Sequence, residues 1–514
     1  MSENDNNPAF ARVRNVDVGI RFQVKDTSAT SGNVSAETNI TPFLGNLADV
    51  YNGTAETDDC YASLEYNAWH LSGKYSVMED VPVRETGLWS SEISDGEGMF
   101  SVPLSMKFTF NSAISTLGWT LRFDSKAGEY PNIIGYTTYS ADGTVLESGT
   151  FTADSADFVG YHYAEDYYAV EFTFNGTSSP FRRLRVTEVE FGITKDYNRN
   201  SIGKLTLKYG VSPSSDALPT REMTFTLDNS DKTYNLLNPD GVYQYLQEGQ
   251  ELTVKIIIDG QEYGMGKFHF TSATVDTTGI IPTITANDRI YALDGKTYDS
   301  GSDTTAALSA AIAEVLSGYA IAVNYGDGIA DRVVSMAIPL GTTIREAVRY
   351  LAQAARCAVW IDKSGVMQFG NIAPSELGAE TGYITPDELY DYGGVTVGEV
   401  VDGVRLSVKN EYRAAADGNM GVMLTYTSGS GENIKSVMNP CVADSEGQAV
   451  ADWLFGIYRW RKFYKVKNRC DPAVAIGDTI NITDIFGNRE NALITGLDIS
   501  YSGGLSAVTE GVGI

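Results

Sequence analysis

Short runs of alternating apolar and polar residues, punctuated by glycine turns, recur along most of this 514-residue chain and limit it to a fold built from strands. In VRNVDVGIRFQV, Val13 to Val24, the alternation sets Val16, Val18, Ile20 and Phe22 on one face, as a half-buried strand requires. LSMKFTF (104–110), WTLRF (119–123), IGYTTY (134–139), VEFTF (170–174) and VTEVEFGI (186–193) follow, with Asp142-Gly143 as a turn signal between runs. Runs at 204–209, 222–227, 252–258 and 267–270 continue the pattern, with Asp259-Gly260 as a hairpin turn. It returns at 403–408, 421–426, 479–484 and 492–499. The 30 tyrosines and 51 glycines fit strands and turns better than helical bundles. The expected fold class is mainly β with a small α/β part.

The period changes between Ser300 and Asn371. AALSAAIAEVL (306–316) is rich in helix formers and stops at Gly318. Thr343 and Glu346 form a capping box for a helix with Ile344, Ala347, Val348, Leu351 and Ala355 on one stripe. AVWI (358–361), a turn at 362–365 and the strand 366–369 make a hairpin beside them. Ser445 and Gln448 are read as capping one later helix, with Ala449, Val450, Trp453, Leu454 and Ile457 inward. A polar stretch from Asp26 to Thr41 reads as a linker. The expected organisation is a first β-barrel from 13–30 and 186–299, an inserted jelly-roll β-sandwich at 46–185, a helix-hairpin connecting domain at 300–384 and a second β-barrel at 385–514.

Charge excludes one function class. The net charge of −28 and the absence of a Lys/Arg run argue against gripping nucleic acid; such a surface keeps a large assembly soluble, or lines a conduit that polyanions pass without sticking. Cys60, Cys357, Cys441 and Cys470 are far apart and form no CxxC pair, so reduced thiols and cytoplasmic synthesis are expected. No signal core and no apolar run of about 18 residues is present, so no membrane anchor is expected.

Catalytic constellations are not evident. His70, His162 and His269 lie at no metal-binding spacing, and GxSxG, GxxxxGK[ST] and helix-opening GxGxxG are absent. Carboxylate pairs such as Asp95 and Glu97, or Glu165 and Asp166, are uninformative in so acidic a chain, and read as solvated loops or Ca²⁺-binding turns. No cofactor and no enzyme activity are expected. Aromatic residues of the jelly roll, Trp69, Trp89, Trp119, Tyr161, Tyr163, Tyr167 and Tyr168, are candidates for stacking on sugar rings. Most belong to the core, Trp119 among them; the loop cluster Tyr161, Tyr163, Tyr167 and Tyr168 is the possible carbohydrate platform.

LNPDGVYQYLQEGQELTVKI, Leu237 to Ile256, has no catalytic residue set yet a distinct turn, helical turn and strand. With the preceding FTLDNSDKTYN it resembles a passage in baseplate hub or tail-associated proteins of phages and prophages of Gram-positive bacteria. IPLGTTIREAVRYLAQAARCAVWIDKSGVMQFGNI (338–372) and DPAVAIGDTINITD with ISYSGGLSAVTEGVG resemble the connecting and closing parts of such hubs. YASLEYNAWHLSGKY, GLWSSEISDGEGMF and PFRRLRVTEVEFG resemble a discoidin-like or carbohydrate-binding-like jelly roll inserted near the front of these proteins. The resemblance implies that Asn238, Pro239, Gly241, Tyr243, Leu246 and Gly249 shape backbone and interface.

It further implies a homotrimer whose two barrels per subunit imitate six units, adapting a hexameric tail tube to a trimeric tip. Interfaces of that kind bury about 2,000 Å² or more. Its expected partners are the tail tube or distal tail protein, the tape-measure protein, a tail-tip or fibre protein and, through the jelly roll, a host cell-surface glycan, with DNA only in transit. The expected location is the virion. A glycan-binding adhesin is the alternative.

Overall fold

The computed structural model describes residues 14–25, 29, 31–53, 60–61, 65–66, 68, 75–76, 86–228, 246–275, 281–319, 321–374, 381–410, 412, 422–483 and 488–513. Strands dominate and helices are few, so the chain is mainly β with a small α part. Two compact units are present. One comprises Met1–Ile20, Tyr197–Gly241 and Glu251–Ile514, and the other Arg21–Asp196 and Val242–Gln250.

In the Arg21–Asp196 unit, an antiparallel sheet runs in the order Glu188–Glu190, Met99–Arg122, Asp157–Gly176, Ile133–Tyr139, Val145–Thr152, with Val34–Thr38 also on Met99–Arg122. A smaller sheet joins Arg183–Val186, Leu88–Ile93 and Pro42–Gly45. Both contribute to one core, in which Phe108, Trp119, Phe172 and Phe174 meet Leu88, Leu184 and Val186. The runs 104–110 and 119–123, which read as separate strands, belong to a single strand of 24 residues. Register shifts against its neighbour between Tyr161 and Ala169 break the period of two, which is why the sequence reads as two strands and a loop. Arginines fasten the small sheet: Arg183 donates to the carbonyls of Ser90 and Ser91, and Arg185 pairs with Asp124 at 2.9 Å while lying over Trp89.

In the larger unit one extended sheet carries both strand-rich halves. From Val16–Lys25 it passes through Glu251–Ile258, Gln261–Val275, Pro282–Asn287, Glu222–Leu227 and Ile202–Gly210. It continues into Arg489–Tyr501, Leu505–Gly513, Lys462–Asn468 and Leu389–Val397. The seam is the antiparallel pairing of Ile202–Gly210 with Arg489–Tyr501, from Leu205 opposite Tyr501 to Gly210 opposite Gly496. Asp259-Gly260 forms the expected two-residue hairpin, both at positive φ (50° and 88°), the conformation of a type I′ turn.

The helix Ile344–Ala354 starts as expected: the Thr343 side chain accepts from the Glu346 amide, and Ile344, Ala347, Val348 and Leu351 are buried. The earlier helix, Leu308–Val315, is shorter than its pattern, because Thr305–Ala307 pairs with Val333–Ser335 instead. The late helix, Gly447–Tyr458, has no side-chain cap; a 3₁₀ turn at Asp444–Glu446 precedes it, and Gln448 donates to the Thr427 carbonyl and to Asp452. Its buried face is Gly447, Val450, Ala451 and Leu454, and Ala449 is exposed. It shares a core with the helices at 308–354 and the strand Gly403–Asn410, whereas the closing strands have their own small core around Tyr464, Ile480 and Ile494.

Candidate functional site

Of the expected carbohydrate platform, the structure exposes part. Tyr161 is 58% and Tyr163 46% exposed, on the strand Asp157–Gly176 and not on a loop. Tyr168 is half-buried. Tyr167 is withdrawn from any platform: it is fully buried, and its hydroxyl accepts from the Trp119 indole at 2.9 Å and sits 3.2 Å from Thr116. The register shift between Ala164 and Tyr167 turns it inward while Tyr161 and Tyr163 stay out. Lys195 lies 5.0 Å from the Tyr161 ring centroid. Trp89 and Trp119 are core, and Trp69 lies outside the described residues.

Asn238, Pro239, Gly241 and Tyr243 also lie outside the described residues. Leu246 is half-buried and Gly249 is an exposed turn residue at φ 93°. Next to it Gln250 is buried and donates to the Lys25 carbonyl at 2.9 Å. His70 is outside the described residues. His162 bonds Glu147 at 2.9 Å, and burial lowers His269 to about 4, so that its ring is neutral beside Arg289. Asp95 accepts from the amides of Glu97 and Met99, which holds its carboxyl below the usual range and makes it a turn-former. Glu165 and Asp166 are exposed. No cluster of three metal-ligating side chains occurs among the described residues. Burial pushes the Cys357 and Cys470 thiols up to about 12, far from a reactive thiolate. Among the described residues no helix is long and apolar enough to cross a membrane.

Three further features depend on long-range pairing that no local pattern states. Arg221 and Asp288, both with side chains 2% exposed, form a buried ion pair. Arg221 also donates to the carbonyls of Asp362 and Lys267, tying the connecting hairpin to the first half. Gly266, at φ 115°, leaves room for that guanidinium. Burial raises the Asp288 carboxyl and Arg221 opposes the rise.

A groove of about 490 Å³ is lined by Val211, Pro213, Glu399, Trp460, Phe463 and Val512, among others. On its wall Tyr458 donates to both Asp216 oxygens (2.7 and 2.9 Å), Gln353 and Ser214 donate to the same carboxylate, and Lys435 lies over the Tyr458 ring at 3.5 Å. Burial and Asp216 raise the Tyr458 phenol well above its ordinary value.

Beside this groove runs the last strand of the extended sheet, Leu389–Val397. It pairs with Lys462–Asn468, and no described strand pairs with its outer edge. Four consecutive residues, Gly394 to Val397, are exposed, with Val395 at 58% and Val397 at 63%. An apolar edge of this kind is a surface for pairing with other chains.

No family model matches the chain, and no curated protein matches it. Among solved structures it is similar to the tail protein from Neisseria meningitidis MC58, at 10% identity and TM-score 0.45 over 62% of this chain and 93% of that one. It is similar to the 43 kDa tail protein of prophage MuSo2 from Shewanella oneidensis, at 14% identity and TM-score 0.42 over 62% and 94%. It is also similar to the prophage tail protein gp18 from Listeria monocytogenes EGD-e, at 11% identity and TM-score 0.38 over 62% and 91%.

Proposed function

We propose that this protein is a structural hub at the tip of a phage tail or of a related injection machine. Three copies would form a ring in which the two strand-rich halves of each act as two of six similar units. The ring would adapt a sixfold tail tube to a threefold tip and let the tape-measure protein and then DNA pass. The observation that carries this reading is the seam between Ile202–Gly210 and Arg489–Tyr501. Six backbone pairs hold the halves side by side in one sheet, as a subunit that imitates two units requires. The passages at 338–372, 471–484 and 499–513 that resemble hub proteins support it, and so does a net charge of −28, which suits a lumen that DNA must slide through. In this reading the tube or distal tail protein, a tip or fibre protein and the tape-measure protein are its neighbours in the virion. Sedimentation and negative-stain imaging of the purified chain test it. A threefold ring with a central channel is expected, and a monomer at tens of micromolar would remove the ring from the proposal.

A second reading, host attachment through the Arg21–Asp196 unit as a jelly roll, is favoured by the outward Tyr161 and Tyr163 on neighbouring positions of one strand. Stacking on a sugar by exposed aromatics is the physical basis. Glycan-array binding by the full chain, lost in a Tyr161→Ala, Tyr163→Ala double variant, would support it. Binding unchanged in that variant would exclude these tyrosines as the platform.

A further inference from the structure

We propose that the groove of about 490 Å³ beside the helix Gly447–Tyr458 binds an arginine side chain of a partner protein, one set between apolar residues, with Glu399 taking the guanidinium. The groove holds two pairings of aromatic ring with carboxylate, and the chain fills one of them itself. In the first, the Lys435 ammonium lies 3.5 Å from the Tyr458 ring centroid and 3.5 Å from Asp216. Asp216 is saturated there, because it also accepts from Tyr458, Ser214 and Gln353. The second pairing is Glu399 with Trp460 and Phe463, on the lining of the same groove. Among the described residues no lysine or arginine lies over either ring, and none forms an ion pair with Glu399. The nearby cations are engaged elsewhere: Arg459 lies over Phe455, Lys462 pairs with Glu490 at 2.9 Å, and Arg461 donates its Nε–H to the Gly398 carbonyl at 3.0 Å.

The second pairing is held in shape before anything enters it. Trp460 closes the turn after the helix by donating its N–H to the Ile457 carbonyl at 2.9 Å. The Gly398 N–H donates to the Arg461 carbonyl at 2.8 Å, which together with the Arg461 side chain fastens the two segments on both sides. The Phe463 ring rests on Gly398, where a Cβ would stand 2.8 Å from a ring carbon, so glycine lets the ring lie flat beside Glu399. Phe463 is 48% exposed and Glu399 is exposed, whereas Val211 and Val512 form buried apolar wall. A cation is attracted to the face of an aromatic ring and to a carboxylate, and more strongly where apolar walls keep water away. Arginine suits this seat better than lysine. Its guanidinium is planar and weakly hydrated, so it can stack on a ring while two N–H groups meet one carboxylate. Apolar neighbours on either side of the arginine would meet Val211, Pro213 and Val512, whereas an acidic side chain would face Glu399 without compensation. The proposal is independent of whether the chain forms a ring.

The test uses the full chain and three capped peptides, Gly-Leu-Arg-Leu-Gly and its citrulline and glutamate analogues, titrated by calorimetry at low salt. The arginine peptide is expected to bind at least tenfold tighter than the citrulline peptide, which keeps the shape and loses the charge, and the glutamate peptide is expected not to bind. Glu399→Gln alters an exposed side chain that holds no part of the fold, so the melting temperature should stay the same while the preference for arginine over citrulline disappears. Phe463→Leu keeps an apolar side chain on Gly398 and removes the ring, and should weaken the arginine peptide severalfold. Equal binding of the arginine and citrulline peptides, no binding of either, or undiminished arginine binding by either variant overturns the proposal. Self-association of the chain that Glu399→Gln abolishes would assign the groove to a second copy and overturn it too.

Discussion

At the scale of single residues, the chain stores its most consequential electrostatics in buried pairs. Glu188 is 5% exposed, accepts from the Gly53 amide at 3.2 Å, and stands on the same short strand as Glu190. Burial first, and the Glu190 carboxylate second, push it up to about 8 from 4.5. A carboxyl whose folded-state pKa is raised binds its proton more tightly folded than unfolded. Its contribution to stability is therefore lost as pH rises from about 4.5 through about 8, and is constant above that. Glu188→Gln removes this dependence. Relative to the parent the variant should gain stability across that window, by on the order of 3 kcal/mol at pH 9. Denaturant unfolding at pH 5, 7 and 9 checks it, and a parent-to-variant difference that does not change with pH refutes it. Pairs like this were invisible in the sequence because EVE reads as ordinary alternation, and which acids lie under the surface depends on strands more than 60 residues apart. The same holds for Tyr167: the YHYAEDYY composition suggests an aromatic surface, and only the register shift decides that Tyr161 and Tyr163 face out and Tyr167 faces in.

At the scale of elements, what the sequence made legible is what local physics decides. The Asp259-Gly260 hairpin and the Thr343 cap need only neighbours a few residues away, and both form as read. Thr343→Ala should cost about 1 kcal/mol through the lost cap, and Leu351→Ala, at a site fully buried in the shared helical core, about 2–5 kcal/mol through the cavity it leaves. Thermal unfolding of both variants tests the ordering; a larger loss for the cap than for the core residue would mean that the helix is held by its end and not by its stripe. Elsewhere long-range pairing overrides local pattern. Thr305–Ala307 has strong helix formers yet joins a strand, and Met99–Arg122 runs through Gly118, at φ 142°, where the pattern suggested a break. The edge strand Leu389–Val397 has a plain signal in Val395-Thr396-Val397. Its exposure on both faces depends on its being last in the sheet, which no local pattern states.

At the scale of the whole molecule, charge and association oppose each other. A chain of net charge −28 repels its own copies, and any ring it forms must be held by apolar burial and strand pairing strong enough to exceed that repulsion. Salt then acts in one direction. The Debye length falls from about 30 Å at 0.01 M to about 8 Å at 0.15 M, so repulsion between copies is long-ranged at low ionic strength and screened at physiological strength, while apolar contacts are not weakened by the change. The assembly is therefore expected to tighten with added salt: sedimentation at fixed protein concentration should show more of the large species at 0.3 M than at 0.01 M sodium chloride, and duplex DNA should remain unbound at both. Dissociation on adding salt would mean that complementary charges hold the copies together, with the chain's 38 Lys and Arg set against its 66 Asp and Glu across the interface, and apolar burial would then not be the main force in the assembly.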